Sequence, residues 1–80
     1  MMDKGRTLAD NFVLNARAVR RRKEIQMDTL AKRLGMSARM LESIELGKTA
    51  IKLHDAINMA DTLETDFMTL LKGCIQDVED

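Results

Sequence analysis

Apolar residues recur along this chain at intervals of three and four, the spacing of side chains that share one face of an α-helix. Leu8, Phe12, Ala16 and Val19 mark a first helix running to about Lys23, opened by Thr7 and Asp10 at the spacing of a capping box. Leu30, Ala31 and Leu34 place a second helix at about Met27 to Leu34, and Leu41 and Ile44 a third at about Ala38 to Leu46. Leu53, Ile57 and Ala60 are expected on the buried face of a fourth, ending near Leu63. Its start is poorly capped, because Lys52 stands where a short polar side chain would help, and Asp55 in the first turn offsets this in part. Asp66 is placed to cap a fifth helix whose apolar positions are Phe67, Leu70, Leu71, Cys74 and Val78, with Gly73 a candidate early stop. The pattern predicts a compact five-helix, all-α domain over residues 7 to 73. Residues 1 to 6 are expected to be a mobile terminus, and 74 to 80 a C-terminal extension of the last helix.

The junction between the second and third helices carries the most information. Gly35 sits where a left-handed residue must end one helix, and Ser37, two positions on, can accept an N–H from the next as its N-cap. Gly47 ends the third helix in the same manner. Two short helices held at a steep angle by such a turn form a helix-turn-helix, which can push the N-terminal end of its second helix into a DNA major groove.

Composition agrees with the helical reading and narrows the chemistry. The 80 residues contain no proline and two aromatic residues, Phe12 and Phe67, so good helix formers dominate. A chain this short buries a limited core, and stability is expected to rest on well-packed helices or a partner subunit. Cys74 is the one cysteine, which excludes an intramolecular disulfide and a multi-cysteine metal site. No apolar run is long enough to span a bilayer, and the start lacks a signal-peptide core, so a cytoplasmic protein is expected. His54 has no second ligand at a metal-binding spacing, and a surface or capping role is expected of it. The seven methionines read as core filler and helix surface. Neither a nucleophile with its base nor a phosphate-cradling glycine loop is discernible. The chain therefore reads as a non-enzyme with no cofactor.

Net charge is zero, yet its distribution is uneven. From Arg17 to Lys52 ten basic residues face four acidic ones, a balance of +6, and from Leu53 onward the balance is −6. The positive half holds the helix-turn-helix, the charge footprint expected of a DNA-docking face.

From about Phe12 to Leu71 the chain resembles, without gaps, the phage repressor and Cro-type, or Xre-like, helix-turn-helix domains. Ala16, Val19 and Arg20 carry the resemblance on the first helix. Leu30-Ala31, Leu34-Gly35-Met36-Ser37, Leu41, Ile44-Glu45 and Gly47-Lys48 carry it in the motif, and Leu53, Ile57, Ala60, Leu63, Phe67, Leu70 and Leu71 extend it. The resemblance implies that Arg20 and Glu45 pair to tie the first helix to the recognition helix. It implies a DNA face of Met27, Ser37, Ala38, Arg39, Glu42, Ser43, Lys48 and Thr49. On that face Arg39 could make a bidentate contact to guanine, Ala38 could touch a thymine methyl, and Lys48 could position phosphates. Gln26 and Met27 stand where members often carry a small N-cap and a glutamine that bonds the DNA backbone.

Double-stranded operator DNA is the expected partner, with the third helix of a homodimer reading each half-site, because one recognition helix covers few base pairs. Ile75 and Val78 extend past the expected core and are the candidate dimer contact. A transcriptional repressor or controller fits this picture. A protein-interaction module, or an antitoxin binding its toxin, remains an alternative, supported by the zero net charge, Met27 and Glu42.

Overall fold

The computed structural model describes residues 7 to 72, and among these every regular element is helical: α1 (Leu8–Arg22), α2 (Met27–Leu34), α3 (Ala38–Glu45), α4 (Leu53–Thr62) and α5 (Phe67–Leu71). Expected ends at Lys23, Leu46 and Leu63 each fall on the C-cap, the residue after the last helical one.

Local chemistry accounts for the helix starts. Thr7 Oγ1 accepts from Asp10 N at 3.1 Å while the Asp10 carboxylate accepts from Thr7 N at 3.1 Å, so two orphan donors of α1 are satisfied reciprocally. Asp66 accepts from Thr69 N and caps α5 with a single bond to its backbone. Gln26 and Lys52 supply no side-chain cap to α2 and α4.

The core is continuous. Phe12, Ala16 and Val19 of α1 meet Leu30, Ala31 and Leu34 of α2, Leu41 of α3, Ala56, Met59, Ala60 and Leu63 from α4 and its end, and Leu70 of α5. Phe12 and Phe67 pack with ring centroids 5.4 Å apart and a 43° tilt, joining α1 to α5. Each buried aliphatic side chain contributes roughly 1.5 to 3 kcal/mol, so this one cluster is the main stabilising element of a small domain.

Two sequence expectations are corrected here, and one buried residue lay outside the apolar pattern. Leu53 and Ile57 point outward, 69% and 51% exposed, and the inner face of α4 is instead Ala56, Met59 and Ala60, completed by Leu63. The helix carries two apolar stripes, and the one with two alanines lets its backbone approach its neighbours closely, which the bulkier stripe would prevent. Leu8 is also outside, because it occupies the first helical residue, beyond the reach of the core. The residue outside the pattern is Asn15, a polar side chain on the core-facing side of α1. It is fully buried, and its Nδ2 donates to Leu70 O at 2.9 Å and Lys72 O at 2.7 Å, fastening α1 to the end of α5.

The methionines divide as a filler residue should. Met59 lies in the core, Met27 and Met36 pack against it, and Met40 and Met68 are exposed. Residues 1 to 6, Gly73, Cys74 and the expected dimer contacts Ile75 and Val78 lie outside the described residues.

Candidate nucleic-acid interface

The turn between α2 and α3 is fixed by backbone geometry. Gly35 has φ +74°, the left-handed conformation that a Cβ disfavours, and the next N–H, from Met36, reaches back to Ala31 O at 3.0 Å. The chain is then extended at Ser37, whose Oγ accepts from Met40 N at 3.1 Å and opens α3. Leu41 and Ile44 anchor the inner face of α3, which leaves Arg39, Met40 and Glu42 exposed on the outer one.

The rear of α3 is held by an ion pair. Arg20 Nε donates to Glu45 Oε2 at 2.8 Å and Nη2 to Oε1 at 3.0 Å, while Nη1 donates to Ile25 O at 2.9 Å. The planar guanidinium thus joins α1, the α1–α2 loop and α3 through three bonds in one geometry. Both side chains are largely shielded, 12% and 6% exposed, so losing either partner leaves a charge in a poorly solvated place.

The other residues of the implied DNA face fall into two groups. Ser37, Arg39, Glu42, Lys48 and Thr49 are exposed, whereas Ala38 and Met27 are half-buried and pack in part against the core. Ser43 is half-buried, and its hydroxyl lies 2.8 Å from that of Thr49. The Ser43 carbonyl accepts from Lys48 N and Thr49 N, so the loop after α3 is tied to the helix rather than free to swing. Gly47, at φ +79°, makes the turn that permits this.

The basic run at the end of α1 is not one surface. Arg20 serves Glu45, and Lys23 Nζ donates to Leu63 O at 2.6 Å, leaving Arg21 and Arg22 exposed. Arg17, one turn before Arg21, brings its Nε to 4.0 Å from Glu45 Oε1. Apart from Arg20, which the family resemblance set aside as the partner of Glu45, the run reads in the sequence as equivalent cations. The one available signal was the four-residue spacing of Arg17 and Arg21, which sets both on the same side of a helix.

The family model described as helix-turn-helix matches residues 17–70, well over half of the chain. The chain belongs to the Xre/Cro-like helix-turn-helix family. No curated protein and no solved structure matches it. As a member of that family it is a DNA-binding helix-turn-helix regulator, and the family is not typically enzymatic. Among the described residues of this helix-turn-helix protein no group of His, Cys, Asp and Glu could hold a metal ion, and no helix is long and apolar enough to cross a membrane. His54 is exposed and lies beside Asp55, its Nε2 3.3 Å from Oδ1, at the start of α4.

Proposed function

We propose that the protein is a sequence-specific transcriptional regulator of the small repressor or controller type, docking α3 in the major groove of operator DNA. The observation that carries this reading is Arg39. It is exposed in the first turn of a helix held from behind by Arg20 and Glu45, with no side-chain partner among the described residues. A free guanidinium in that position suits bidentate recognition of guanine. Ser37, Ala38, Glu42 and Ser43 complete the reading surface. Met27, Lys48 and Thr49 flank it, Lys48 as a phosphate contact.

The reading includes a cytoplasmic homodimer that places two copies of α3 about one helical turn of DNA apart. Its proposed contact, Ile75 and Val78, belongs to the extension after the 7–73 domain.

Selection of bound duplexes from a random pool, followed by titration of Arg39→Ala, tests the reading. The variant should lose roughly 1 to 3 kcal/mol on the selected site and little on random duplex. An equal loss on both would make Arg39 a phosphate contact.

A second reading draws on the apolar side chains around the same helix. Met40 and Leu46 are exposed at 44% and 55%, a composition suited to a protein partner such as a toxin. Duplex binding that weakens steeply with salt favours the first reading, and its absence favours the second.

A further inference from the structure

In the cavity between α1, α2 and α3, positive charge in excess of the carboxylates collects at the edge of the proposed DNA face. Arg17, Arg20 and Arg21 line it from α1, Met27 from the start of α2, and Glu42 and Glu45 from α3. Arg20 and Glu45 are committed to one another. That leaves two further guanidiniums, Arg17 and Arg21, lining the same cavity as the carboxylate of Glu42. Arg17 is 39% exposed and makes a long ion pair with Glu45, Nε to Oε1 4.0 Å, too long for a hydrogen bond, so its N–H donors are not taken up by that carboxylate. Arg21 is exposed and has no side-chain partner among the described residues.

Resting on the proposed DNA-binding function, we infer that Arg17 and Arg21 form a clamp for a phosphodiester of the DNA backbone. The clamp lies beside Met27 and Glu42. Two arguments support it. The positions of Met27 and Glu42 set the cavity on the flank that a duplex docked on α3 would pass, and guanidinium donors fit phosphate oxygens bidentately. Glu42 would otherwise bring a bare negative charge against the polyanion. Two neighbouring guanidiniums reverse the local sign, and this makes an acidic residue on the outer face of α3 compatible with DNA. Met27 offers no hydrogen-bond donor from its side chain, so the side-chain donors lining this edge come from α1.

The test is the salt dependence of duplex binding by the full chain. Arg17→Gln/Arg21→Gln is compared with Arg22→Gln/Lys72→Gln, which removes the same charge from exposed residues outside the cavity. The clamp variant should reduce the slope of log affinity against log salt by about 1 for each phosphate it no longer neutralises. It should also weaken selected and random duplexes by the same factor, and Arg17→Lys/Arg21→Lys should restore most of the slope. Arg21→Gln alone, at an exposed position, gives the same reading in part should the double variant melt early. A slope equal to that of the control pair overturns the clamp and leaves the DNA-binding reading standing. A loss confined to the selected sequence overturns it too, since that would mark base reading. Wild-type protein that binds no duplex at low salt removes the DNA-binding reading and the clamp together.

Discussion

Two glycines close the helices of the turn motif and two glutamates close the helices on either side of it, although all four ends share one construction. Gly35 and Gly47 have φ of +74° and +79°, Glu24 and Glu64 of +57° and +56°. At each, the N–H reaches the carbonyl three residues back, and the following N–H reaches the one five residues before itself. A side chain in this region costs about 1 to 2 kcal/mol that glycine does not incur. What differs is the support. Beside the glutamates, Lys23 Nζ crosses to Leu63 O, linking the end of α1 to the end of α4, and Arg20 Nη1 holds Ile25 O. Tertiary hydrogen bonds do in the flanking helices what backbone freedom does in the motif.

The two regions meet at the Arg20–Glu45 pair, and its rupture is the largest effect expected. Glu45→Ala should lower unfolding free energy in urea by about 3 kcal/mol, because Arg20 remains shielded without its carboxylate. Arg20→Met/Glu45→Leu should recover much of that loss. If the double variant is no better than the single one, the pair contributes more than the removal of a stranded charge.

Gly35→Ala addresses the motif end alone. A Cβ there meets nothing within 4 Å, so the whole penalty is conformational, about 1 to 2 kcal/mol. A larger drop in a thermal melt would mean that the turn tolerates no movement at all. On the other side of the comparison, Lys23→Met should lose about 1 kcal/mol while Arg22→Met changes little, as scored by denaturation midpoints. Equal values would show that the link to Leu63 does not hold up the glutamate ends.

Glu64→Gly should gain about 0.5 to 1 kcal/mol, the relief of φ outweighing the added freedom of the unfolded chain. Calorimetry that shows no gain would place Glu64 in contacts beyond its backbone. Leu53→Ser and Ile57→Ser should each cost less than about 1 kcal/mol, well below a core substitution, since the side chains are 69% and 51% exposed. A cost of a core size, read by the same calorimetry, would return them to the interior face.

The same contrast explains what could be read from the sequence. Gly35, Ser37 and Gly47 announce the motif because their conformational roles belong to residue type, and Leu41 and Ile44 fall on one face of a short helix with no competing stripe. Glu24 and Glu64 carry no such mark, since their conformation is imposed by distant partners. On α4 the apolar pattern offered two faces, and only packing against the other helices decides for Ala56 and Met59 over Leu53 and Ile57. At the candidate site, Arg39 and Glu42 were placed by the resemblance to the family. Arg17 and Arg21 required the fold, because only the crossing of α1 behind α3 separates them from Arg22 and Lys23.

Asn15 gives the chain an order of completion. Its amide awaits carbonyls 55 and 57 residues further on, and closing a loop of that length costs roughly 3.5 kcal/mol of chain entropy beyond a constant. The helix pair around Gly35, built from neighbours in sequence, can assemble while the remainder is still being synthesised. A nascent chain that has not yet released Leu70 from the ribosome has an unfastened first helix, with the Asn15 amide lacking those carbonyls. Such a fragment should be cut readily by proteases until α5 arrives.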